Sequence, residues 1–256
     1  MKTGNTKRSP KVLLLNKETV RNRALLLPNL ITSIGIFCGF LAVLSTLDGK
    51  FPIATACIGI AFILDGLDGR VARKMNATSE FGKELDSLSD VTAFGVAPAV
   101  LIYAWAFKAQ GFEIGVPIAF IFLVCGATRL ARFNTQSETA GSKNSFTGLP
   151  IPAAAASVAS LVYLNPSPLT NHFPTTAFAC YSIFLSYLMV SSIDYGSPKY
   201  LKLSNINPTH VLIVISATVA LAWYNSRIVF AVGFLLYTLS GPLITLIKKK
   251  EETKHS

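Results

Sequence analysis

Charge is what this sequence has least of. Only 14% of its 256 residues are Asp, Glu, Lys or Arg, against about a quarter in soluble domains. Meanwhile 51% are hydrophobic and the mean hydropathy is +0.49. That deficit, together with several apolar runs of about 20 residues, excludes an ordinary soluble domain and predicts a polytopic membrane protein. Histidine is nearly missing as well. His172, His210 and His255 fall in loops or the tail and form no cluster. The four cysteines, Cys38, Cys57, Cys125 and Cys180, each stand alone in an apolar segment. Neither residue type has metal-ligand spacing, so no Cys/His zinc site is expected, and the cysteines read as packing residues. No Ser/His/Asp or Cys/His nucleophile arrangement is visible. The first apolar run begins near Leu25, is long enough to span a bilayer and lacks a small-residue cleavage site, so no cleavable signal peptide is expected.

What the sequence does have is eight apolar runs, at about 29–47, 52–74, 83–107, 114–133, 149–164, 174–193, 210–224 and 227–247. The expected fold class is all-α: a polytopic membrane helix bundle of about eight transmembrane helices. The fifth and seventh runs are short against the ~20 residues a straight span needs. Residues 1–27 are basic, and Val12, Leu13, Leu15, Val20 and Ala24 give a rough apolar stripe. They predict an N-terminal interfacial helix on an anionic membrane face. The expected division is thus 1–27 as this interfacial segment, 28–247 as the membrane domain and 248–256 as a basic tail.

The net charge of +10 raises nucleic acid as a partner, but its placement argues for membrane lipids. With eight spans, 20 of the 23 basic residues fall on one side, leaving only Lys50, Lys108 and Arg227 on the other. By the positive-inside rule both termini are cytoplasmic, and no nucleic-acid partner is expected.

Against this apolar background, Asp65, Asp68, Asp86 and Asp90 stand out. Asp65 and Asp68 are three residues apart and Asp86 and Asp90 four apart, spacings that put each pair on one helix face. In the eight-span arrangement they converge near the cytoplasmic ends of the second and third spans. Carboxylates at membrane depth are costly and are kept for a partner or a task. Four like charges this close need cations from outside the chain. Carboxylate-only ligation favours Mg²⁺ or Mn²⁺ over Zn²⁺ or Cu²⁺. Two helix pairs of acids suit two ions about 3.5–4 Å apart, the arrangement of phosphoryl transfer. Gly66 and Gly69 leave room for a ligand or pack against a neighbouring helix. Arg73, one turn beyond Gly69, offers a planar fork for a phosphate.

The string Asp65-x2-Asp68-Gly69-x2-Ala72-Arg73-x8-Gly82-x3-Asp86-x3-Asp90 resembles, at every defined position, the signature of the CDP-alcohol phosphatidyltransferase family. The resemblance implies membrane helices around a cytoplasm-facing cavity and a homodimer with one site per subunit. It implies that CDP-diacylglycerol gives its phosphatidyl group to an alcohol and releases CMP. By position, Asp65, Asp68, Asp86 and Asp90 resemble the ligands of two divalent cations, and Asp90 also the base for the attacking hydroxyl. Gly69 and Arg73 resemble residues that contact CDP-diacylglycerol. Pro28-Asn29-Leu30-Ile31-Thr32 looks like the family's N-terminal element, with Asn29 and Thr32 facing the nucleotide; as plain helix-start residues they would do no more than cap.

Two further stretches, Thr128-Arg129-Leu130-Ala131-Arg132-Phe133-Asn134 and Phe146-Thr147-Gly148-Leu149-Pro150-Ile151-Pro152, resemble the branch of that family that uses L-serine. Arg129 and Arg132, with Asn134, are then candidates for binding serine or phosphate, since serine carries a carboxylate for an arginine to grip. The bland alternative is interfacial anchoring of both arginines to headgroups. The polar loop 135–148 would cover the cavity or simply connect two spans. The resemblance covers residues 28–160 well and implies a prokaryotic inner membrane. Competing readings are the same chemistry with glycerol 3-phosphate, inositol, inositol phosphate or choline, and a cation-coupled transporter. No inverted repeat with broken helices supports the latter.

Overall fold

The computed structural model describes residues 10–74, 79–111, 113–139, 147–193, 195 and 208–255; for residues 10–25, 136–139, 208–211, 213–215 and 247–255 it describes the backbone alone. The stretch expected as an apolar stripe before Leu25 is helical from Pro10, with its side chains not described, and most of the polar loop before Thr147 lies outside the described residues.

The chain is an all-α polytopic membrane bundle. Its helices are α1 (Pro10–Leu47), α2 (Phe51–Lys74), α3 (Glu80–Asp90), α4 (Ala97–Ile102), α5 (Gly115–Thr139), α6 (Ile151–Leu164), α7 (His172–Val190) and α8 (Pro208–His255). Among the described residues, six helical segments are long and apolar enough to cross a bilayer, and α6 is a shorter apolar helix. The run expected at 29–47 forms the later part of α1, which is continuous through Pro28. The runs expected at 210–224 and 227–247 form one element, α8, interrupted where Asn225 leaves helical geometry at φ −150°, ψ 84°. The Asn225 side chain accepts a hydrogen bond from the Ile228 amide at 3.3 Å, so it caps the helix that follows.

The rod from Glu80 to Gln110 is the centre of the bundle: 72% of its apolar window is buried, against 39% or less for every other span. It begins at Ser79, whose hydroxyl accepts from the Gly82 amide at 3.0 Å. Directly after Asp90 it passes through a π-helical turn, Val91–Val96, then α4, then a second π turn, Tyr103–Phe107. Such turns slip the hydrogen-bond register and reset which face the next residues present.

Close approach of α1 to this rod depends on two glycines one turn apart. A Cβ on Gly35 would lie 3.0 Å from Ser89 Oγ, and one on Gly39 would lie 2.8 Å from the Ala93 Cα. Small residues four apart let membrane helices touch backbone to backbone. On the other side α2 packs along α1 and α5 along α7. The buried face joins Ala42, Ala54, Ile58, Phe94, Leu101 and Ile151 in one apolar core. Cys38 and Cys57 belong to it, as expected of packing residues.

At the far end of the central rod, the Trp105 indole donates to the Asn165 carbonyl at 3.0 Å and Leu169 donates its amide to the Trp105 carbonyl at 2.9 Å. These bonds pin the proline-rich 165–171 connection. At the opposite end Gly148 adopts φ +81° and donates to the Ile193 carbonyl at 2.7 Å, while Leu149 donates to Leu188 at 3.0 Å. The chain thus crosses the C-terminus of α7 before entering α6.

Candidate active site

The second and central spans bring the acids together as the spacing predicts. One oxygen each from Asp65, Asp68 and Asp86 lies within 4.8 Å of the others. The fourth acid, Asp90, lies beside the Asp65 carboxyl. Asp68 is buried, at 6% exposure. Its Oδ1 accepts from the Gly69 amide at 2.6 Å, and its Oδ2 lies 3.0 Å from the Thr32 hydroxyl. That hydroxyl is also 3.1 Å from the Pro28 carbonyl. Ser89 in turn donates to the Thr32 carbonyl at 3.3 Å. Thr32, on α1, therefore ties to α2 by its side chain and to the central rod by its backbone.

Beside the cluster opens a cavity of about 500 Å³. Its lining holds all four residues expected to contact the nucleotide, Asn29, Thr32, Gly69 and Arg73, together with Asp68 and Asp86. Ser79, Glu80 and Lys83 line it as well. Lys83 carried no expected role in the site; its position one turn before Asp86 is the signal that could have found it. Gly82 is the crossing point: a Cβ there would sit 3.1 Å from Asn29 Oδ1. Gly66 and Gly69 behave differently from packing glycines. Among the described residues, nothing lies within 4 Å of a Cβ on Gly66, and only the Arg73 guanidinium, at 3.6 Å, faces one on Gly69. Both leave open backbone beside the acids, with Arg73 folded over it.

The three residues expected on the serine or phosphate side part company. Arg129 is half-buried, its charge interacts with the Asp90 carboxyl, and its buried Nε has no hydrogen-bond partner among the described residues. Arg132 is exposed and its Nη1 reaches the Val190 carbonyl at 3.5 Å, at the C-terminus of α7, where a cation is favoured by the helix dipole. Asn134 donates to the Ser87 hydroxyl at 2.8 Å, next to Asp86 in the chain. Arg129 is thus brought to the acids, Asn134 to the back of their helix, and Arg132 to the neighbouring helix end.

The donor set fits a hard divalent cation. It is made wholly of carboxylate oxygens, three of them already gathered within 4.8 Å, and Thr32 and Gly69 orient Asp68 from behind. Hard, oxygen-ligated ions take such sets, and outer partners of this kind fix the ligand's rotamer.

Comparison with known proteins agrees with this geometry. A CDP-diacylglycerol–serine O-phosphatidyltransferase of Helicobacter pylori is 37% identical over 228 residues, which are 89% of this chain and 95% of that protein. An archaetidylserine synthase of Methanothermobacter thermautotrophicus is 41% identical over 171 residues, 66% of this chain and 69% of that protein. A CDP-diacylglycerol–serine O-phosphatidyltransferase of Bacillus subtilis is 38% identical over 170 residues, 66% of this chain and 89% of that protein. The family model for CDP-alcohol phosphatidyltransferases matches residues 25–194, a stretch that holds every acid of the cluster and the cavity beside it. This chain belongs to the CDP-alcohol phosphatidyltransferase family.

Proposed function

We propose that the protein transfers the phosphatidyl group of CDP-diacylglycerol to the hydroxyl of L-serine, giving phosphatidylserine and CMP. The observation that carries this reading is the gathering of Asp65, Asp68 and Asp86 beside a cavity lined by Asn29, Thr32, Gly69 and Arg73. The names of the Helicobacter and Bacillus relatives supply the acceptor.

In this reading Asp65, Asp68, Asp86 and Asp90 hold two divalent cations, Mg²⁺ or Mn²⁺. When bound, such ions neutralise charge on the pyrophosphate and on the departing phosphate. The nucleotide lies in the cavity. Open backbone at Gly66 and Gly69 allows its close approach, and Arg73 grips a phosphate as a planar fork. Asn29 orients the nucleotide and Thr32 keeps Asp68 in place. Arg129 takes the serine carboxylate, which sets the serine hydroxyl near Asp90. Asp90 accepts the hydroxyl proton as the oxygen attacks the phosphorus bonded to diacylglycerol. The new P–O bond forms as the pyrophosphate P–O bond to CMP breaks. Direct attack accords with a site built of carboxylates and arginines, with the acyl chains remaining in the bilayer.

The same reading takes 28–247 as the membrane domain between flanking segments 1–27 and 248–256. It includes a homodimer with one site per subunit. It also places the site on the cytoplasmic face of a prokaryotic inner membrane, supported by Arg70, Arg73, Lys74 and Lys83 at the site's end of α2 and α3. The test is an acceptor panel. Purified protein receives CDP-diacylglycerol and, in separate reactions, L-serine, glycerol 3-phosphate, inositol, inositol phosphate or choline, and the lipid product is identified by mass. Phosphatidylserine from L-serine alone is expected; a product from another acceptor in its place overturns the serine assignment.

A further inference from the structure

α3 carries two of the four acids, yet little of it is buried. Of its 11 residues only Ser89 is buried, and Phe81 and Leu88 are exposed. The turn directly after Asp90 is π-helical, and such a turn slips the hydrogen-bond register. Apolar packing and helix continuity therefore fix the rotation of α3 only weakly. That rotation decides where Asp86 and Asp90 point.

Asp86 and Asp90, four apart, share one face of α3. At about 100° per residue, Ser87 and Ser89 stand roughly 80° to either side of that face. Each serine bonds to a different helix. Ser89 donates to the Thr32 carbonyl of α1 at 3.3 Å. Ser87 accepts from the Asn134 side-chain amide of α5 at 2.8 Å. The Ser87 hydroxyl proton goes to the Lys83 carbonyl, 3.0 Å away, which leaves a lone pair for the Asn134 donor. α3 is thus braced from both sides, with the acids between the braces.

We propose that Asn134 and Ser87 are positioning residues for the carboxylate cluster: their hydrogen bond, opposite the bond from Ser89 to Thr32, fixes the rotation of α3 and so presents Asp86 and Asp90 to a divalent cation. The inference rests on the metal-site reading above. It gives Asn134 a part other than the contact with serine or phosphate that its motif suggests.

The test titrates full-length protein in detergent, without substrate, with Mn²⁺, and reads the free ion from its electron paramagnetic resonance signal. Asn134→Ala removes the donor. Its Kd for Mn²⁺ is expected to rise about fivefold, the scale of one neutral hydrogen bond. Ser87→Ala removes the acceptor and gives the same rise. The two substitutions together add less than about twofold to either alone, since both act through one contact. Ser87→Thr keeps the hydroxyl and binds Mn²⁺ like wild type. At saturating Mn²⁺ the KM of Asn134→Ala for L-serine stays within about twofold of wild type. Should Asn134→Ala unfold, Ser87→Ala, the smaller truncation, carries the test. An unchanged Kd for Mn²⁺ overturns the proposal, even beside a lower unfolding temperature, because the bond then serves stability alone. A raised serine KM with an unchanged Kd for Mn²⁺ also overturns it, since Asn134 then meets the acceptor directly. Full additivity of the two alanine substitutions does the same. Wild-type protein that binds no Mn²⁺ overturns the metal-site reading and this proposal with it. Wild type and variants that bind Mn²⁺ equally overturn this proposal alone.

Discussion

Thr32 and Asp68 are 36 residues apart in the chain, yet the Thr32 hydroxyl stands 3.0 Å from Asp68 Oδ2, and both side chains are buried. This contact joins the first span to the second at the carboxylate cluster. Thr32→Val keeps the shape and removes the donor. The apparent affinity for Mg²⁺ or Mn²⁺, read from metal titration of CMP release, is expected to fall about 10–100-fold, the usual effect of losing an outer partner of a ligand. Thr32→Ser should stay near wild type. An unchanged titration in Thr32→Val would mean that the bond does not orient Asp68.

Asp90 differs from the other three acids in facing Arg129 as well as Asp65. Asp90→Asn preserves size and hydrogen bonding but cannot take the serine proton. Its kcat is expected to fall by about 10²–10⁴, with a thermal unfolding temperature close to wild type. Near-normal turnover would remove Asp90 from the role of base.

Gly39 touches the backbone of the central rod at Ala93, three residues after Asp90. Gly39→Val should force the helices apart, at a cost of roughly 1–3 kcal/mol for overpacking, and lower activity by displacing Asp90. Gly59, also on a membrane helix, has nothing among the described residues within 4 Å of a Cβ. Gly59→Val should be tolerated, with thermal unfolding of both variants as the comparison. Equal unfolding temperatures would show that the crossing at Gly39 is not close.

Gly148 combines φ +81° with a Cβ position 2.4 Å from the Met189 carbonyl oxygen. Gly148→Ala is therefore strained by both backbone and contact, and about 1–3 kcal/mol of stability should be lost. A thermal shift in detergent measures it; no shift would contradict the turn over α7.

Much of the site was legible because carboxylates in apolar runs have few innocent explanations. Asp65, Asp68, Asp86 and Asp90 lie where helical spacing puts them. Arg73 and Gly69 meet as residues one turn apart should. What could not be read depended on contacts between distant segments. Thr32 carries no mark that it will meet Asp68 rather than cap a helix. Arg129 and Arg132 share one motif and, three residues apart, one side of α5, but Arg132 stands about one turn further along that helix, so one meets Asp90 and the other the end of α7. Gly35 and Gly39 do carry the four-residue spacing of close membrane-helix crossings, but nothing in the sequence says which helix presses on them. The π turn after Asp90 is a slip in hydrogen bonding with no compositional signature. Hydropathy found the two apolar runs on either side of Asn225, but the break that separates them is a backbone event at a single residue.

The most direct test is CMP release from CDP-diacylglycerol by purified protein with L-serine, before and after removal of divalent cations with EDTA and after their return as Mg²⁺ or Mn²⁺. Carboxylates gathered as Asp65, Asp68 and Asp86 are here predict release that needs both serine and metal, vanishes with EDTA and recovers with either ion. Serine-dependent release that persists in EDTA, from protein shown to be free of bound metal, would contradict a metal role for the cluster. Metal-dependent protein that ignores serine would contradict the acceptor.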